Sequence, residues 1–174
     1  MKKFVLSTAL IASGSLFFSA ASNADSVNYI SGGFNDFYNS DFYVEGSTSI
    51  ADNWVGEVQF TDMGDYSLRA GAKYFLDMGA DRQFDTFLKG GVSHYDFGNS
   101  DDTSAYAGIG AMTKLSQQTT AIVDAGYDWG LDGFASVGAR LRYAFTDRFS
   151  ADAGFRGNFN SIDNEVHLGV TYSF

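Results

Sequence analysis

The 174-residue chain carries 21 acidic against 11 basic side chains, and a formal net charge of -10 excludes the basic surface on which nucleic-acid binding depends. It has no Cys, which excludes disulfides and a Cys-linked lipid anchor, and no Pro, the residue that would delete ladder hydrogen bonds from a central strand. Gly, Phe and Tyr are abundant instead.

The chain opens MKKFVLSTALIASGSLFFSAASNAD, with Lys2 and Lys3, an apolar run from Phe4 to Phe18 and a small-residue site at Ser22-Asn23-Ala24. This reads as a secretory signal peptide over 1–24, cleaved before Asp25, followed by a single domain over 25–174. The apolar run is too short to span a bilayer and is interrupted by Ser13, Gly14 and Ser15. Losing Lys2 and Lys3 takes the charge from -10 to -12. No later stretch is long and apolar enough for a membrane helix, so any crossing of a bilayer is expected to use strands.

The rest alternates with period 2 in ten segments of about ten residues. The first, 26–35, has an ambiguous phase. Segment 41–51 places Phe42, Val44, Thr48 and Ile50 on one face, and 54–61 places Trp54, Val58 and Phe60. Segment 66–76 adds Tyr66, Leu68, Ala70, Ala72 and Tyr74; 84–95 adds Phe84, Thr86, Leu88 and Val92; 104–115 adds Ala105, Ala107, Ile109 and Ala111. Segment 119–129 adds Ala121, Val123, Ala125, Tyr127 and Trp129, and 134–145 adds Ala135, Val137, Ala139, Leu141 and Tyr143. Segment 149–158 adds Phe149, Ala151, Ala153 and Phe155, and 165–174 adds Val166, Leu168, Val170, Tyr172 and Phe174.

Strand charges take the opposite phase: Arg69, Lys73, Lys89, Lys114, Arg140, Arg142 and Arg156 against Glu45, Glu57, Asp85, Asp124, Asp128, Asp152 and Glu165. A charge on a lipid-facing strand position costs about 2–4 kcal/mol at mid-depth, so a charge-free apolar face is what a membrane strand needs. The connections after odd-numbered segments hold Asp36, Asp62, Asp65, Asp96, Asp101, Asp102, Asp132 and Asp163 and no cation; the others keep Arg82 and Arg148. One end is thus expected to be wholly acidic.

Alternation alone does not separate a soluble barrel, apolar inside, from a membrane barrel, apolar outside. Three features favour outside. Aromatic residues gather at both strand ends, with Trp54, Tyr74, Phe84, Tyr143, Phe149 and Tyr172 at one and Phe42, Phe60, Tyr66, Tyr127, Trp129, Phe134 and Phe155 at the other, as two interfacial girdles would. Mid-strand positions are often Ala, which fills a wide soluble core poorly. The seven cations and seven anions balance, so facing each other across a lumen they can pair. The fold expected is all-β: a closed antiparallel up-and-down transmembrane barrel of ten strands, with eight as the alternative. Its lumen network would comprise Glu45, Glu57, Arg69, Lys73, Lys89, Lys114, Asp124, Asp128, Arg140, Arg142, Asp152, Arg156, Glu165 and His167.

The C-terminal EVHLGVTYSF resembles the signature of bacterial outer-membrane β-barrel proteins, which end in an aromatic residue preceded by alternating apolar ones. Length and short loops look like the small barrels related to the OmpA transmembrane domain and the Ail and Opa adhesins, which have eight strands. The resemblance implies an outer-membrane location in a Gram-negative cell, surrounded by lipid and lipopolysaccharide. It also implies that Val170, Tyr172 and Phe174 form a signal read by the barrel-assembly machinery, with periplasmic chaperones as partners on the way.

Chemistry is weakly marked. His94 with Ser93, Tyr95 and Asp96 invites a hydrolase reading, but strand neighbours face opposite sides, so Ser93 and His94 do not meet. His167 near Asp128 and Glu165 invites a protease reading, against which the loops are short and a lumen salt bridge is the plainer role. Asp96, Asp101 and Asp102 are candidate oxygen ligands for a divalent cation, without EF-hand spacing. The glycine pairs at 32–33 and 90–91 precede no helix and form no phosphate loop. No cofactor is expected, and the chain is not read as an enzyme. A structural or surface-interaction barrel with a narrow or plugged charged lumen leads; a porin-like channel for small solutes is the alternative, and a lipid- or peptide-hydrolysing barrel comes third.

Overall fold

Period-2 alternation sends successive side chains to opposite faces of a strand, and in the computed structural model ten such strands close on themselves. The structure describes residues 27–36, 41–62, 66–76, 84–98, 100–160 and 163–174; the expected signal peptide lies outside them. The strands are β1 (Tyr29–Asp36), β2 (Asp41–Ala51), β3 (Trp54–Asp62), β4 (Tyr66–Phe75), β5 (Asp85–Asp96), β6 (Asp101–Lys114), β7 (Thr119–Asp128), β8 (Phe134–Ala144), β9 (Phe149–Phe159) and β10 (Glu165–Ser173). Each pairs antiparallel with its sequence neighbours, and β1 pairs with β10, from Tyr29 opposite Ser173 to Phe34 opposite Leu168. The barrel is therefore all-β, up-and-down and ten-stranded, which removes the eight-stranded alternative. Closure leaves no unpaired sheet edge. Among the described residues, no helix is long and apolar enough to cross a membrane.

Pairing with both neighbours resolves the ambiguous phase of the first strand. Ser31 and Asn35 are buried, while Ile30 and Phe34 face outward. The outward face carries the large apolar side chains along every strand, among them Leu88, Ile109, Val123, Val137, Leu141, Phe155, Leu168 and Val170.

One end, here the turn end, holds the β2–β3, β4–β5, β6–β7 and β8–β9 connections together with Asn28 and Phe174. The other, the loop end, holds the remaining five connections. The longest loop expected there shrinks, because β6 begins at Asp101 rather than at Ser104. Asp101 and Asp102 continue the ladder opposite Asp96 and Tyr95, and the Asp102 carboxylate accepts a hydrogen bond from Leu131 N at 2.6 Å. All three carboxylates read as loop cation ligands are thus built into a hairpin.

That last hydrogen bond steadies a demanding turn. Leu131 and Asp132 have φ of 54° and 68°, the left-handed region that costs a residue with a Cβ about 1–2 kcal/mol. Gly133 N donates to Gly130 O at 2.8 Å to close the turn between β7 and β8. Positive φ at both central positions matches the right-handed twist of the flanking strands.

Candidate functional site

The interior is built from every second residue of each strand, so its contents were legible as the charged phase of the alternation. Arg140 reaches from β8 to Glu45 on β2 with a two-pronged contact, 2.6 Å to Oε1 and 3.3 Å to Oε2. Lys73 and Glu57 pair at 2.6 Å on adjacent strands. Lys89 meets Asp124 at 2.5 Å, and Arg142 meets Asp152 at 2.8 Å. Arg156 lies 3.7 Å from Glu165 and 3.9 Å from Asp124, and Arg69 lies 3.4 Å from Asp128. Each of these six cations thus has its own carboxylate. Lys114 and Asp85 sit at the turn end of β6 and β5.

Asp128 is the most heavily bonded of these carboxylates. Oδ1 accepts from Ser93 Oγ (3.0 Å), Ser104 Oγ (2.8 Å) and Gly130 N (2.9 Å), and Oδ2 accepts from Tyr95 Oη (2.7 Å) and Arg69 Nη2. The Arg69 guanidinium lies 5.8–5.9 Å from the ring centres of Tyr95, Tyr106 and Phe134. Charge-assisted bonds are roughly twice as strong as neutral ones, so this knot ties β4, β5, β6 and β7 together near the loop end. Asp152 plays a similar part at the turn end, bonded by Arg142 and Thr171, with the Arg142 guanidinium 4.3 Å from the Tyr29 ring centre.

His167 is buried, 3.2 Å from Glu165 Oε2, with its ring edge-on to Tyr43. His94 is on the opposite face of its strand from Ser93. Its Nδ1 lies 2.8 Å from Thr103 Oγ1 and its ring 5.9 Å from Tyr66, whereas Ser93 points inward at Asp128. No nucleophile–base contact joins the two. Among the described residues, no group of three or more His, Asp or Glu is placed to hold a metal ion. Val170 faces outward, Tyr172 packs on Phe149 at 5.1 Å, and Phe174 follows β10, its N–H donating to Asn28 O at 3.2 Å.

The charges do not fill the interior alone. Tyr29, Tyr43, Phe75, Phe87, Tyr95 and Phe134 are buried within it, and Tyr106 shares the same phase. Phe134 had been expected in the outward girdle. It is 1% exposed, and its ring packs on Tyr95 at 6.2 Å, because residue 134 shares parity with Arg140 and Arg142. The same parity marks the others: Tyr43 stands two before Glu45, Phe75 two after Lys73, Phe87 two before Lys89. That signal was present, but hidden by the many aromatics of the opposite phase.

At the turn end, Val55, Phe75 and Phe87 form an apolar cluster, with Val27, Met112 and Ile122 packed against it. Above it is a cavity of about 100 Å³, walled by Glu57, Arg69, Lys89, Tyr106, Asp124 and Arg140 among others.

No family model matches the chain, and no curated protein matches it. A solved structure, "KdgM porin", is similar to it with a TM-score of 0.52 and 11% sequence identity, over 84% of this chain and 99% of that one. At that identity the likeness is one of fold: a closed β-barrel of the porin kind. The resemblance to the OmpA- and Ail-like barrels rests on the sequence pattern.

Proposed function

We propose that the chain is an integral outer-membrane β-barrel, delivered by the signal peptide over 1–24, whose interior is sealed at rest and whose role is structural or surface-presenting. The observation that carries the sealed reading is the buried apolar cluster at the turn end, beneath six interior cations each paired with a carboxylate. The membrane placement is supported by the large apolar side chains of the outward face, whose strand charges Asp36, Asp62, Asp96 and Asp101 are confined to the loop-end rim, and by the porin-like fold. Lipid and lipopolysaccharide are then its surroundings, and the barrel-assembly machinery and periplasmic chaperones its partners in biogenesis. No catalytic role is proposed.

The test is conductance of folded protein in a planar bilayer, with heat-modifiable migration confirming that the sample is folded. The barrel is expected to be silent. Steady, well-defined openings would instead establish the second reading, a channel for small solutes. That reading is favoured by the likeness to a protein named a porin and by the polar cavity at mid-height.

A further inference from the structure

We propose that the barrier to ions lies in the apolar layer at the turn end, and that Val27, in the segment leading into β1, completes it. The inference rests on the sealed-barrel reading and names the part of the interior that seals.

The ion-paired layers are poorly suited to be that barrier. Their cavity is about 100 Å³, and a water needs about 10–15 Å³ of such space. Among the atoms of the residues that wall it, Arg69 Nε and Asp124 Oδ1 are buried without a protein hydrogen-bond partner. Buried polar groups are satisfied by water when protein does not supply a partner. A polar, roomy cavity with open valences holds water, and water screens a passing ion. A ring of apolar side chains does the reverse, excluding ions by dewetting.

From β3 to β7 the turn-end layer has that character. Val55 is 1% exposed, and Phe75 and Phe87 are 2% exposed, with ring centres 5.4 Å apart. Phe87 lies on the inner face of the neighbouring strand at Gly110 so closely that a Cβ there would collide with its ring. Met112 and Ile122 pack against it from the next two strands, β6 and β7, and the Arg142–Asp152 pair on β8 and β9 fills the rest of that end. Val27 packs against this cluster from outside the ladder, one residue before Asn28. Asn28 is pinned: its Oδ1 accepts from Ser49 N at 2.7 Å and from Thr48 Oγ1 at 3.2 Å, and its carbonyl accepts from Phe174 N. The seal therefore includes one side chain that the barrel does not need for its hydrogen bonds.

Three variants, each made in the whole barrel and checked by heat-modifiable migration, test this in planar bilayers beside the wild type. Phe87→Ser and Val27→Asp wet the apolar layer; the double variant Lys89→Gln with Asp124→Asn removes an ion pair and leaves that layer intact. The first two are expected to raise current at least about tenfold over the silent wild type, and the double variant to stay silent. Val27 lies outside the ladder, so its variant carries the test if Phe87→Ser does not fold. Silence of folded Val27→Asp and Phe87→Ser barrels overturns the placement of the seal but not the sealed reading, as do openings in the ion-pair variant alone. A conducting wild type overturns both.

Discussion

Arg140 and Glu45 show what a single pair contributes when 95 residues of chain separate its members. The contact spans the interior from β8 to β2, so it braces the barrel rather than adding to a ladder. Both side chains are largely withdrawn from solvent, at 15% and 10% exposure. Removing one partner from such a pair costs about 3–5 kcal/mol, because the survivor is left buried without its counter-charge, whereas replacing both by apolar groups is often neutral or favourable. Arg140→Leu alone should therefore cost about 3–5 kcal/mol, and Arg140→Leu with Glu45→Leu distinctly less. Urea unfolding of the refolded barrel in lipid vesicles gives the comparison. Losses that simply add would mean the two side chains do not depend on each other. Asp128 is a stronger case of the same kind, since its donors come from three strands and a turn.

At the scale of the strand, glycine decides where large interior side chains fit. Gly71 stands opposite Gly91, Gly108 opposite Gly126, and Gly33 opposite Gly169. All six face inward, and the space a Cβ would fill is taken: by Tyr106 Oη at Gly71, by Tyr43 Oη at Gly169, and by the backbone of β4 at Gly91. Gly46 faces outward, where a Cβ would meet only a Val58 methyl at 3.7 Å. Gly71→Ala and Gly91→Ala should each destabilise the barrel by about 1–3 kcal/mol or more through overpacking, and Gly46→Ala should leave it unchanged or slightly better. Denaturation midpoints of the three refolded variants check this; equal midpoints would mean that the interior yields easily. Much of the barrel was legible from alternation, because period 2 and the parity of the charges assign each face without knowledge of partners. Arg140 and Glu45 could be placed inside in this way, but not paired, since pairing depends on which strands face each other across the closed wall. Asp101 and Asp102 were missed as strand because acidic residues read as loop, yet their register with Asp96 and Tyr95 extends the hairpin. The apolar layer was missed because Phe75 and Phe87 share the parity of Lys73 and Lys89, but only the strand pairing brings their rings together, at 5.4 Å, beside Val55.

The whole molecule is asymmetric end to end. Asp36, Asp62, Asp96, Asp101, Asp102, Asp132 and Asp163 lie in or beside the loop-end connections, while Arg148 stands at the turn end with both ends of the described chain. Phe174 belongs to that turn end, and its role separates into two parts. Structurally its backbone N–H donates to Asn28 O at 3.2 Å, next to the bond from Ser173 N to Arg148 O at 2.8 Å. One such bond is worth about 0.5–1.5 kcal/mol net. As the last residue of an assembly signal shared with Val170 and Tyr172, it would matter far more in the cell than in the folded barrel. Deleting Phe174 should then lower the amount of barrel in the outer membrane several-fold while changing the unfolding free energy of refolded protein by only about 1 kcal/mol. Immunoblots of outer-membrane fractions and urea unfolding of the same variant give the two numbers. A drop in membrane level matched by an equal loss of stability would reduce Phe174 to a structural end-cap. Unchanged levels in the membrane would remove it from the signal altogether, leaving the closure of β10 on β1 to depend on the ladder from Phe34 to Tyr29 alone.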